Sequence, residues 1–303
     1  MRWMALAGVA VSLSGAGLWG TSLSAEPRTF KDCADCPEMV VLPTGTFTMG
    51  APDDEPDRQR WDGPPTKVTV ATPFALARTE ITRGQFAKFA AATQRPIGGH
   101  CRTFNGNWGA DAASDWRKVN FPQTDDHPVV CVEWYDALAY VEWLNTKGGH
   151  SYYLPSEAEF EYANRAGSST IFPWGTDRGE ICKHANVADQ SVKRRFPHVD
   201  GHNCDDGFEF TAPVASFPAN AFGLHDTFGN VWEWVFDCWS FDHAASDGTA
   251  RPVTTGEYCY KRMIKGTGYE SVARYARSAA RGRDDIPEFR NAVIGFRVAA
   301  RVN

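Results

Sequence analysis

No cysteine follows Cys259 in this 303-residue chain. A site built on thiols near the C-terminus is therefore excluded. No block of lysine or arginine stands out, and the net charge is −6. Nothing here is the electrostatic footprint of a nucleic-acid partner; the mixed charges read as a solvated surface. No apolar run suits a stable membrane span, because the stretch from Trp3 to Trp19 is broken by Gly8, Gly15, Gly17 and two serines. No internal repeat and no low-complexity linker is visible. One compact domain is the simplest account of a chain this long.

The N-terminus reads as an address. Arg2, the apolar stretch to Trp19 and the small residues Thr21, Ser22, Ser24 and Ala25 read as a secretory signal peptide over 1–25, with an uncleaved anchor as the alternative. Its loss would take the net charge to about −7, since Arg2 is its one charged side chain. The expected location is periplasmic or secreted, with no stable membrane span after leader removal. All eight cysteines follow the leader, and an even count in an exported chain argues for disulfides. Neighbours in sequence suggest Cys33–Cys36, Cys101–Cys131, Cys182–Cys204 and Cys238–Cys259, although spacing alone leaves other connectivities open. Residues 26–37 read as a tail whose Cys33 and Cys36 are structural rather than redox-active.

Three helices are predicted. Thr82 and Gln85 form a capping box ahead of Phe86, Phe89 and Ala90, and Ser156 with Glu159 forms another. Val132 to Leu144 carries apolar residues at helical spacing. Gly167 is the expected stop of the Ser156 helix. Short β-like runs cover Lys67 to Ala71, Met263 to Lys265 and Gly295 to Ala299. Residues 98–127 and 170–222 show no sustained period; loops of that length need a function or a clamp.

The run from Gly223 to Val235 is the most informative. It combines Asp226, a Gly229-Asn230 turn, Glu233 and two tryptophans. Hard oxygens on turns suit calcium, while the plainer alternative is a tight turn beside a Trp-rich core. The same run resembles the signature of the formylglycine-generating enzyme (sulfatase-modifying factor) family. The resemblance continues through Met39–Pro43 with Gly45–Gly50, Glu80–Thr82, His127–Val132 with Trp134, Leu154–Glu159, Thr211–Val214 and Ile294–Val298. It implies one domain over 38–303. The implied fold is α+β, an irregular mixed domain low in regular secondary structure and related to C-type lectins. It further implies two structural calcium sites. One comprises Asn186, Asp206 and the carbonyls of Val187 and Phe208. The other comprises Asp226, Glu233 and the carbonyls of Gly229 and Val231.

Oxygen-using members of that family carry two cysteines near the C-terminus that bind copper(I), a soft metal suited to thiolates. The matching segment here, Lys265 to Arg281, holds none. Copper is therefore not expected as a cofactor, nor is copper-dependent conversion of a cysteine to formylglycine. The segment remains the expected cleft, with Arg274, Arg277, Arg281 and Arg283 as grips for carboxylates or carbonyls; solvated basic side chains on an edge are the plainer alternative. The cleft candidates are Trp234, Tyr269, Glu270, Arg274 and Arg277. Ser271 has no base near it in sequence and is not expected to be a nucleophile. His184, His198 and His202 surround Cys182 and Cys204, but Pro197, Gly201 and Asn203 argue against the helix that a shared metal would need.

Two functions follow from the resemblance. The first is an exported protein that modifies or matures a peptide, a peptide-derived molecule or a protein in the cell envelope. Its chemistry would be of oxidation type, as in siderophore-peptide or sulfatase-like maturation. The alternative is a calcium-supported module that binds peptide or glycan, or an accessory protein, without chemistry.

Overall fold

The computed structural model describes Met1, residues 27–282 and residues 286–302. The leader beyond Met1 and Arg283 lie outside the described residues. The helices start where side chains can satisfy their free N–H groups. Thr82 Oγ1 accepts from the Gln85 N–H at 3.1 Å, and Gln85 Oε1 accepts from the Thr82 N–H at 3.0 Å. This box opens α1 (Arg83–Thr93). The helix α2 (Trp134–Asn145) starts two residues after Val132, directly behind its cap residue Glu133. Ser156 and Glu159 open α3 (Glu157–Arg165) with a second reciprocal box. That helix ends at Ala166, in the left-handed region with φ 46°, one residue before Gly167. Two short helices, α4 (Ile181–His184) and α5 (Gln190–Arg195), lie in the aperiodic stretch.

The main sheet has the order β1 (Thr29–Phe30), β2 (Met39–Leu42), β5 (Phe74–Ala77), β12 (Ala299–Arg301), β8 (Tyr152–Tyr153). Residues 26–37, expected as a tail, are thus partly built into the domain. Thr29–Phe30 pairs with β2, and Asp32 accepts from the His150 backbone N–H and the Tyr152 hydroxyl, each at 2.8 Å. Two hairpins stand apart, β3 (Gly45–Met49) with β4 (Thr66–Val70) and β6 (Cys101–Phe104) with β7 (Trp108–Asp111). The third sheet centres on β9 (Trp232–Cys238), antiparallel to β10 (Arg262–Lys265) and parallel to β11 (Ile294–Gly295).

The run Gly295 to Ala299, expected as one strand, is two. Its start belongs to β11 and its end to β12, in different sheets. Between them the chain turns Arg297 inward to a buried carboxylate, and ladder pairing stops. The four disulfides join Cys33–Cys36, Cys101–Cys131, Cys182–Cys204 and Cys238–Cys259, and no cysteine is free. The core lies between α1, α2 and β9. Trp134 Nε1 donates to the Val235 carbonyl at 2.9 Å, and Trp234 Nε1 donates to the Val132 carbonyl at 3.2 Å. This exchange buries both indoles with their N–H groups satisfied.

Candidate functional site

Two tight turns dock on each other to build the site. The Gly229 N–H donates to Thr267 Oγ1 at 2.9 Å and to the Gly266 carbonyl at 2.8 Å. The Tyr269 N–H donates to the Asn230 carbonyl at 2.8 Å. Gly229 has φ 90°, and a Cβ there would sit 2.7 Å from the Asn186 carbonyl oxygen, so only glycine fits. The docked turns bring Glu270 against β9, where Trp232 Nε1 donates to Glu270 Oε1 at 3.1 Å. Glu270 Oε2 is buried and unpartnered. Burial pushes this carboxyl up to about 7, against the hydrogen bond from Trp232.

Above Glu270 opens a cleft of about 170 Å³, lined by Trp232, Tyr275, Trp108, Arg102, Ile264 and Glu270 among others. Of the five cleft candidates read from the sequence, Glu270 lines it. Arg274 is exposed and rests on the Tyr275 ring at 4.9 Å. The other three lie elsewhere. Trp234 belongs to the core, beneath the start of α2. Tyr269 is fully buried, edge-on to Phe121 and Phe210. Arg277 is buried against Glu55 and Asp62, where it neutralises carboxylates rather than offering a grip. Arg281 is likewise consumed by Glu157, at 2.7 Å. The Ser271 hydroxyl accepts from the Gly268 N–H at 3.0 Å and serves the turn.

Sequence reasoning passed over Trp232, Trp108 and Arg102. Trp232 and Trp234 share one face of β9 because side chains alternate along a strand. Only the packing shows that the 232 end is open and the 234 end covered. The β6–β7 hairpin, which brings Arg102 and Trp108, lies in a stretch with no sustained period.

The calcium expectations meet two clusters of hard oxygens. In the first, Asn186 Nδ2 donates to the Phe210 carbonyl at 2.8 Å, which leaves its Oδ1 buried and unpartnered. Asp206 accepts from the Val187 and Phe208 N–H groups, both at 2.9 Å. Burial and the nearby Asp189 raise it to about 7. Asp189 and Asp206 also form, with Cys182, the one three-residue group among the described residues with the spacing of metal ligands. Cys182 is bonded to Cys204, so only the carboxylates qualify.

In the second cluster Glu233 is gripped by Arg297, with distances of 2.7 to 3.0 Å. Asp226 accepts from the Ala215 N–H at 2.6 Å. A residue not anticipated from the sequence joins them: Glu80 is fully buried, accepts from Asn230 Nδ2 at 3.0 Å, and keeps Oε2 unpartnered. Three buried carboxylates thus face one guanidinium, and burial with the neighbouring charges raises Glu80 well above the carboxylate range. Both donor sets fit a hard cation held by oxygen.

The histidines do not converge on a metal. His184 stacks on Trp174 at 4.7 Å, and His198 bonds the Gly106 carbonyl. His202 is buried and depressed to about 4 by desolvation.

A family profile described as the sulfatase-modifying factor enzyme 1-like domain matches residues 25–302. The chain is 33% identical over 297 residues to the formylglycine-generating enzyme of Mus musculus, covering 87% of this chain and 75% of that protein. It is 32% identical over 231 residues to the inactive C-alpha-formylglycine-generating enzyme 2 of Bos taurus, covering 65% and 69%. Among solved structures, PvdO from Pseudomonas aeruginosa superposes with a TM-score of 0.78 at 40% identity, covering 91% of this chain and 99% of that one.

Proposed function

The chain belongs to the sulfatase-modifying factor enzyme 1-like family, and from that premise we propose that it is an exported protein that matures a peptide-derived substrate at the Glu270 cleft. The family acts on protein and peptide substrates. Export is supported by the leader and by four disulfides. No helix among the described residues is long and apolar enough to cross a membrane.

One observation carries the reading. Glu270 offers an acid near neutrality on the floor of an aromatic cleft, with one oxygen fixed by Trp232 and the other free of partners. A general base is most effective with its pKa near the working pH. The reaction class is oxidation of a peptide-derived group, as in maturation of a siderophore peptide. The substrate loses two electrons and two protons as a C–H and an adjacent N–H or O–H become a C=N or C=O bond. Glu270 takes the proton from nitrogen or oxygen, and dioxygen accepts the two electrons and both protons to leave as hydrogen peroxide. All eight cysteines are paired, so the copper–thiolate route to formylglycine is not assigned to this chain.

Calcium is assigned a structural role. Asn186 and Asp206 with the Val187 and Phe208 carbonyls would hold one ion. Asp226, Glu233 and the Gly229 and Val231 carbonyls, joined by Glu80, would hold the other. Bound there, the ions supply charge neutralisation and fix the turns that carry Glu270.

The test is comparative mass spectrometry of envelope and secreted peptides after deletion of the gene. A precursor should accumulate at a defined mass difference. Restoring the wild-type gene should clear it, and restoring Glu270→Gln should not. If Glu270→Gln restores the profile as fully as wild type, the cleft does not act through that acid, and binding without chemistry becomes the better reading of its aromatic walls.

A further inference from the structure

Arg102 is the one cation among the described residues that line the cleft, and its guanidinium has no hydrogen-bond acceptor or carboxylate partner among them. Arg290, Arg95 and Arg277 are spent: Arg290 bonds Glu133 and Asp136, Arg95 bonds Asp136, and Arg277 bonds Glu55 and Asp62, while Arg274 rests on the Tyr275 ring and does not line the cleft. Arg102 is nonetheless held in place. Its guanidinium lies over the Trp108 ring at 5.1 Å and near Phe289 at 6.0 Å. Its N–H donates to the Arg290 carbonyl and its carbonyl accepts from the Ala292 N–H, both at 2.9 Å. The preceding Cys101 is bonded to Cys131, whose own N–H donates to the Asn291 carbonyl at 3.0 Å. A stacked guanidinium on a clamped strand is held in orientation, with its forked donors turned to solvent and open to a ligand.

Resting on the cleft reading above, we propose that the substrate group is a planar ring bearing a carboxylate. The ring sits among Trp232, Trp108 and Tyr275 with a hydrogen-bond donor turned to Glu270, and Arg102 binds the carboxylate. Rings and apolar side chains (Ile264, Val293, Ile294) make up most of the lining, which suits a flat apolar body. The volume of about 170 Å³ fits one or two fused rings rather than a folded peptide loop. Arg102 is exposed at the cleft's edge, where its planar fork of donors matches the two oxygens of a carboxylate. Arg102 is on this account a specificity residue, and Glu270 remains the acid–base group.

The experiment is titration calorimetry of the whole calcium-supplemented protein with indole-3-acetate and indole-3-acetamide, which match in shape and differ in charge. Wild type should bind the acid about tenfold more tightly than the amide, the usual worth of one charge-assisted fork. Arg102→Gln should abolish that ratio while leaving amide affinity in place, and Arg102→Lys should keep part of it. A merely structural Arg102 would instead weaken both ligands together in both variants. The proposal is overturned if wild type binds acid and amide equally, binds neither at millimolar concentration, or keeps its preference in Arg102→Gln. Glu270→Gln should weaken both ligands and preserve their ratio. A normal cellular peptide profile with Glu270→Gln would overturn the catalytic reading alone, leaving the ratio in the binding assay to decide the role of Arg102.

Discussion

Glu270 fits on the cleft floor only because residue 268 has no side chain. A Cβ on Gly268 would sit 2.4 Å from Glu270 Oε2 and 3.0 Å from the Trp232 ring. The backbone there is not left-handed, so Gly268→Ala adds bulk without backbone strain. It should lower turnover about a hundredfold, the scale of a misplaced catalytic group, and circular dichroism should show the fold retained. Activity should rise with pH through about 7 as Glu270 ionises, and a pH–rate profile reads this directly. Stability runs the other way. Glu270 is raised from 4.5 to about 7 and Asp237 from 3.8 to about 8, both chiefly by burial. The folded state therefore holds these protons more tightly than the unfolded chain does. Their contribution is full below about pH 4 and is lost as pH rises toward 8. Urea midpoints at pH 5 and pH 8.5 should show the fall, with a shallower slope in Glu270→Gln. Of the candidates the sequence offered, Glu270 lines the cleft, whereas Trp234, Tyr269 and Arg277 are buried away from it. Residue type names a capability, and neighbours far along the chain decide whether it is spent.

Helix starts were the most legible elements, because a capping box is a local contract between residues three apart. Thr82→Ala and Ser156→Ala should each cost about 1 kcal/mol in chemical denaturation. The last strand was less legible. From Gly295 to Ala299 the sequence alternates as one strand, yet Arg297 leaves the ladder to meet Glu233. Its guanidinium also donates to the carbonyls of Ala77, His225 and Asp226. Arg297→Met would leave Glu233, Asp226 and Glu80 without their shared cation. The expected loss is about 3–5 kcal/mol, as for a broken buried ion pair, read as a drop in Tm. No local pattern announces such a partner, since Arg297 and Glu233 are 64 residues apart.

For the molecule as a whole, the two oxygen clusters predict a calcium-dependent fold. Chelation with EGTA should lower the thermal midpoint, and calcium at a hundred times its Kd should restore about 2.7 kcal/mol per site. An unchanged midpoint across that range would remove calcium from the account. The sequence alone determined the family, the α+β class and the capped helices, because these rest on neighbours in the chain or on blocks in a fixed order, and it suggested a cysteine pairing that the structure contains. Tertiary structure alone decided which tryptophan faces the cleft, that Glu80 joins Asp226 and Glu233, and that Arg102 is the cation lining the cleft among the described residues. Each of those depends on which buried charges and surfaces segments distant in the chain cover when they pack, and burial is a property of the assembled molecule.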